Sequence, residues 1–320
     1  MLHQGEYSAT FLLQQSIKEM PMLWEPYLPQ VGLGCVAGAS DTGKSAFLRQ
    51  LALCVACGRS EFLGTSLRPS RRSVIYVSTE DDDLATAFLL NKQNYELKIP
   101  IEELQHLTFL FDTTNVQQVL DSKLTERPAD LVIVDCFTDL YYGSINESNQ
   151  VRTFLNAYSQ LAQKHQCLIL FLHHCGKRTE DLVPSKHSLL GSQAFEAKMR
   201  VVLELRKDLS DMTCKHLCCT KGNYLSEQDK SESMKLYFSP NLVFQNTGEH
   251  VPFEDLIKSS KAEKEKYKRI KQMQSEGYTM DEIAKMEKYS DKSGVSRFLS
   301  RYEKKYGCEI LSMQLDETPF

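Results

Sequence analysis

Residues 34–47 read GCVAGASDTGKSAF: a short apolar strand, Gly34 to Ala37, runs into Gly38-Ala39-Ser40-Asp41-Thr42-Gly43-Lys44-Ser45, and Ala46 carries on into a helix. The spacing Gly-x-x-x-x-Gly-Lys-Ser is a complete Walker A motif. Its glycines let backbone N–H groups turn inward around phosphate oxygens, and the helix N-terminus that follows adds positive potential. Lys44 supplies a point charge for the β- and γ-phosphates, and the Ser45 hydroxyl suits Mg²⁺, which otherwise keeps phosphate oxygens and water. The motif falls between strand and helix, as its geometry requires. Residues 38–46 are therefore expected to bind ATP with Mg²⁺.

Outward from this loop, apolar runs alternate with helical patterns. Phe47, Leu48, Leu51 and Val55 have helical spacing; Ser73 to Ser78 reads as a buried strand, with a helix from about Leu84. Leu107 to Phe111 is a strand and Val116 to Leu124 a helix. The strands Leu131–Val134 and Leu168–Leu172 flank an amphipathic helix bearing Val151, Phe154, Leu155, Tyr158 and Leu161. Continuous β-branched and Leu runs between helices predict a mostly parallel sheet covered on both faces. Beyond Met199 the pattern turns strand-rich (Val201–Leu205, Thr213–Thr220, Lys235–Phe238), as antiparallel strands added at one edge would. The expected fold class is α/β, a P-loop core with a mostly parallel sheet and antiparallel edge strands.

Two carboxylate positions complete the nucleotide chemistry. Asp135 ends the run Leu131 to Val134, as a Walker B aspartate should, and would hold Mg²⁺ through water. Glu80 is the first carboxylate off the strand Ile75 to Thr79, where it can orient an attacking water. Asp81, Asp82 and Asp83 compete with it, although a helix N-terminus also accounts for acidic residues there.

The chain has 320 residues, formal net charge −4, 42% hydrophobic and 25% charged residues, so any attraction for nucleic acid must be local. The start, MLHQGEYSATFLLQQSIKEM, has no basic-then-apolar signal pattern and reads as an N-terminal extension, residues 1–20. No apolar run approaches the roughly 20 residues of a membrane helix. Ten irregularly spaced cysteines suit a reducing cytoplasm. Cys54/Cys57 and the group Cys214, His216, Cys218, Cys219 have metal- or redox-like spacing, but buried thiols behave as small hydrophobes and no second ligand pair accompanies them.

Taken in order, Walker A, VIYVSTEDD, VIVDCFTDLYYGSINESN, LILFLHHCGK and LLGSQAFEAKMRVVLEL resemble the RepA-like branch of hexameric RecA-fold ATPases, related to DnaB-type helicases and common on plasmids and mobile elements. The resemblance covers about residues 21–244. It implies that His173 or His174, His174 being preferred, senses the γ-phosphate. It also implies that the loop from Gly176 to Leu190, with Lys177, Arg178 and Lys186, faces a ring's central channel; the plainer readings are a capped strand end and a solvated loop. Lys221 resembles the Lys of a Lys-x-Arg finger that reaches a neighbouring subunit's γ-phosphate. Asn223 stands where many relatives carry arginine, which puts vigorous hydrolysis in doubt.

Residues 245–257 read as a linker to a basic helical unit, residues 258–320. Lys261 to Gly277 forms one helix, a Thr279–Glu282 capping box opens a second, and Gly294 begins a third. This is the layout of helix-turn-helix and winged-helix modules. Ile283, Ala284, Met286, Val295, Phe298 and Leu299 would point inward. Ser296, Arg297, Arg301 and Lys304 would point outward, to touch DNA or simply to face water. The expectation is a cytoplasmic, ring-forming, hexameric ATPase acting on DNA for a plasmid, transposon or phage, with a replication or transposition protein as partner. A nucleotide-gated regulator or loader that does not unwind, and an assembly ATPase unrelated to DNA, are the alternatives.

Overall fold

The computed structural model describes residues 7–176, 179–190 and 193–315, with side chains left out of the description at 180, 258–261 and 304–315. The chain divides into two compact units, Met1–Phe253 and Glu254–Phe320.

The first unit is built on a nine-stranded sheet. Its strands are β1 (Gly32–Gly38), β2 (Val74–Ser78), β3 (Leu107–Leu110), β4 (Leu131–Asp135), β5 (Leu168–His174), β6 (Val201–Lys207), β7 (Cys214–Gly222), β8 (Glu232–Phe238) and β9 (Phe244–Pro252). They lie in the order β9-β8-β7-β6-β1-β5-β4-β2-β3. Every pair from β6 to β3 is parallel, and β6-β7, β7-β8 and β8-β9 are antiparallel. The helices are α1 (Lys44–Ala56), α2 (Asp83–Leu97), α3 (Val116–Glu126), α4 (Ser148–His165) and α5 (Gln193–Lys198).

Strand residues alternate between two buried faces, which is why the sequence shows unbroken apolar runs. Val74, Tyr76, Leu131, Ile133, Leu168 and Leu170 pack with Phe47, Leu48, Leu51 and Val55 of α1. Their neighbours Ile75, Val77, Val132, Val134, Ile169 and Phe171 pack with Leu120 and Leu124 of α3 and with Val151, Leu155 and Tyr158 of α4. α/β layering with a parallel core and an antiparallel edge is as expected.

The linker expectation needs correction: residues 244–252 form β9, a full edge strand, and the units part between Phe253 and Glu254. Gln50 of α1 fastens this strand. Its amide donates to the Phe244 carbonyl (2.9 Å) and accepts from the Phe244 N–H (2.7 Å), all of it buried.

The second unit consists of α6 (Lys258–Ser275), α7 (Met280–Met286) and α8 (Lys292–Leu315). Its core holds Tyr267, Ile270, Ile283, Ala284, Val295, Phe298, Leu299 and Tyr302. The Thr279–Glu282 capping box is present. Met286, expected inward, is 53% exposed, because it closes the short α7 on its solvent side. Among the described residues of this unit there is no strand to form a wing. No helix among the described residues is long and apolar enough to cross a membrane.

Gln50→Ala strands two buried backbone groups, each costing about 1–3 kcal/mol. Urea unfolding should show the variant destabilised by at least roughly 2 kcal/mol; an unchanged midpoint would mean that β9 is held by its ladder alone.

Candidate nucleotide site

The loop between β1 and α1 is shaped by close approach. A Cβ at Gly38 would lie 2.6 Å from the Leu205 carbonyl oxygen and 2.8 Å from Thr42 Oγ1. Gly43 has φ +89°, and a Cβ there would lie 2.9 Å from the Phe244 ring. Gly43 caps α1 without any side-chain hydrogen bond, so the first N–H groups of a 13-residue helix are left for a ligand. Thr42 Oγ1 donates to the Ala39 carbonyl (3.0 Å), and Lys44 Nζ donates to the same oxygen (2.8 Å). Burial pushes the Lys44 pKa down. A phosphate arriving in the loop would offer that ammonium a far better partner than a carbonyl.

Asp135 is buried at the C-terminal end of β4. Tyr76 donates to its Oδ2 (2.6 Å), while Oδ1 is buried with no hydrogen bond of ordinary geometry. Burial raises the Asp135 pKa against the opposing pull of the Tyr76 and Ser45 hydroxyls. An orphaned carboxylate oxygen close to a serine hydroxyl fits a hydrated Mg²⁺ ion, whose charge would relieve the desolvation. The residues present therefore suit the metal that Walker A implies.

The four competing carboxylates have separate surroundings. Asp82 caps α2 by accepting from the Ala85 N–H (2.8 Å), Asp83 lies in the first turn, and Asp81 Oδ2 meets Arg49 Nη1 at 3.4 Å. Glu80 is half exposed, with Oε1 3.7 Å from His174 Nε2. The ends of β2 and β4 are clamped together here: Thr79 N–H and Oγ1 both donate to the Asp135 carbonyl, and the Cys136 N–H donates to Thr79 Oγ1 (2.8 Å).

The paired histidines differ. His173 is fully buried against Phe137 and Phe195, with Nε2 2.9 Å from the Leu190 carbonyl, and burial pushes its pKa down to about 4. His174 is the one that faces Glu80. The segment beyond β5 is tied back to it, since Leu190 N–H donates to the His174 carbonyl and Gly176 N–H to the Ser188 carbonyl. Arg206, ion-paired with Glu204 in a buried setting (2.7 Å), also donates to the Leu182 and Thr179 carbonyls. Lys186 is exposed in this segment, while Lys177 and Arg178 lie outside the described residues.

Lys221 does not join the cluster. It pairs in register with Val202, which pairs with Cys35, three residues short of Gly38 and so roughly 10 Å down the strand. Its Nζ bonds Glu196 of α5 through the carboxylate (2.8 Å) and the carbonyl (2.7 Å). In the second unit Ser296 and Arg297 are exposed, and Arg301 is bonded to Glu263 (3.1 Å); Lys304 lies in α8 with its side chain undescribed.

Two residues at the loop carry no motif that would mark them in the sequence. Phe238 and Phe244 stack at 4.4 Å, and both rings approach Gly43. Their one signal is aromatic character, and they meet because they end adjacent antiparallel strands.

The AAA domain family matches residues 6–180, more than half of the chain. Among solved structures, one described as an ATPase domain superposes with a TM-score of 0.57 over 73% of this chain and 94% of that one, at 12% identity. At that identity the likeness concerns the fold alone, a RecA-like ATPase core. No curated protein matches.

Because the fold keeps His173 neutral, stability falls as pH drops from about 6.5 toward the folded pKa of about 4. By about pH 4.5 this group alone should cost about 2–3 kcal/mol. His173→Gln, which cannot titrate, should remove that part of the pH dependence in denaturant titrations; parallel wild-type and variant curves would refute the assignment.

Proposed function

Since the chain belongs to the AAA domain family, we propose that it is a P-loop ATPase that completes its active site between copies of itself and acts on DNA. The observation that carries this reading is the separation of Lys221 from Lys44, Glu80, Asp135 and His174. A cation roughly 10 Å down the strand axis from its own phosphate loop serves a nucleotide only if that nucleotide is a neighbour's.

In this reading the N–H groups of residues 38–46 and the Lys44 ammonium hold the phosphates. Ser45 and, through water, Asp135 would hold Mg²⁺, which supplies charge neutralisation at the β- and γ-phosphates. Glu80 orients the attacking water. His174, in contact with Glu80, passes the state of the γ-phosphate to the segment ending at Leu190, which its own carbonyl already holds. Lys221 would exchange Glu196 for a neighbour's phosphate. The ring is taken as a hexamer of the RepA-like kind, and its role as replication or mobilisation of a plasmid, transposon or phage. DNA would meet Lys177, Arg178 and Lys186 in the channel, and Ser296, Arg297, Arg301 and Lys304 on the unit from 258 to 320.

A second reading, a nucleotide-gated regulator or loader that does not unwind, is favoured by Asn223. With no arginine there, one cation already paired with Glu196 is left to act in trans, and trans cations contribute much of the rate in such sites.

Lys44→Ala should abolish hydrolysis, and Lys221→Ala should lower it at least about tenfold while ATP binding persists. Mixing the two variants should raise activity above that of either alone, because some interfaces then combine an intact loop with an intact finger. Absence of any rescue would sink the shared site. DNA-stimulated turnover with strand displacement supports the helicase, stimulation without displacement the regulator, and turnover indifferent to DNA would refute both. A chain ending at Phe253 should lose the stimulation if the C-terminal unit carries the DNA contact.

A further inference from the structure

Three side chains with metal-binding atoms meet where β2, β4 and β5 end. The Glu80 carboxylate, the Cys136 thiol and the His174 imidazole have their ligand atoms within 4.8 Å of one another. Each follows or ends a different strand of three consecutive neighbours in the sheet; the Cys136 N–H is held by Thr79, the residue before Glu80, and His174 stands in register with Gly38. Ligands of a tetrahedral ion with bonds of about 2.1 Å stand roughly 3.4 Å apart. The Glu80–His174 pair, at 3.7 Å, is already close to that separation.

The donor set selects the ion. Mg²⁺ takes oxygen ligands and is served by Ser45 and Asp135, whereas a thiolate with an imidazole and one carboxylate suits a softer divalent ion. Cys136 forms the buried floor, its N–H held by Thr79 Oγ1 and its sulfur 3.0 Å from the Thr138 hydroxyl. Glu80 forms the half-exposed rim, leaving a solvent-facing side for a water ligand. The ammonium of Lys44 is turned onto the Ala39 carbonyl.

We propose that Glu80, Cys136 and His174 form a binding site for a zinc-class divalent cation, and that its occupancy holds ATP turnover off by engaging the two groups that face the γ-phosphate. On binding, the Cys136 thiol gives its proton to solvent and the sulfur bonds the metal. The inhibitory half of the proposal rests on the roles assigned to Glu80 and His174 above, while the binding half stands on the cluster alone.

The test uses the full chain, stripped of metal and titrated with Co²⁺ and then Zn²⁺. A thiolate-to-cobalt absorption band should rise to one equivalent, and millimolar Mg²⁺ should not bleach it. Cys136→Ser should lose the band, and both Cys136→Ser and the surface-side variant His174→Ala should bind zinc weaker by more than about tenfold. Unchanged affinity in the two variants would overturn the site. One equivalent of zinc should depress ATP turnover in excess Mg²⁺, with Cys136→Ser resistant to it. Turnover indifferent to bound zinc would overturn the inhibitory half. Zinc binding in a chain that never hydrolyses ATP would instead refute the ATPase reading and leave the site standing.

Discussion

The register of the parallel strands is the constraint on which the site depends. Ser78 lies opposite Asp135, Val134 opposite Phe171, and Gly38 opposite His174. These pairings bring the phosphate loop, the buried aspartate, Glu80 and the histidine to one edge of the sheet. A slip of one residue in any strand would send its side chains to the opposite face. Both faces are packed, so such a slip would exchange the side chains of two fitted layers and also draw a polar strand end such as Asp135 further into the core. The hydrophobic layers therefore also align the edge that carries the candidate site.

That alignment has local fasteners. Thr79 binds the end of β2 to β4 through hydrogen bonds in both directions. Gln50 ties α1 to β9 and so brings the Phe238–Phe244 stack against Gly43. The antiparallel edge, remote in sequence from the phosphate loop, thus sets the space beside it. Asp135 offsets its burial with a tyrosine on one oxygen and keeps an unmet need on the other.

The parallel core is legible in the sequence because its strands are buried on both faces and read as continuous apolar runs. Edge strand β9 is illegible for the opposite reason. Gln245, Asn246, Thr247, Gly248, Glu249 and His250 form a polar, largely exposed stretch that composition cannot tell from a linker. Walker A is legible because its spacing carries its own geometry. The separate surroundings of Glu80, Asp81, Asp82 and Asp83 are not, since they turn on a capping bond and an arginine that spacing does not reveal. Nor does spacing separate His173, a neutral core side chain, from His174 beside Glu80.

The Glu204–Arg206 pair holds the segment after β5 through the Thr179 and Leu182 carbonyls. Glu204 keeps the guanidinium paired whatever the carbonyls do, so each carbonyl contact counts as a charge-assisted hydrogen bond, about 1.5–3 kcal/mol. Two carbonyls of that segment, three residues apart, thus depend on a single side chain of β6, the strand next to the one that carries the phosphate loop.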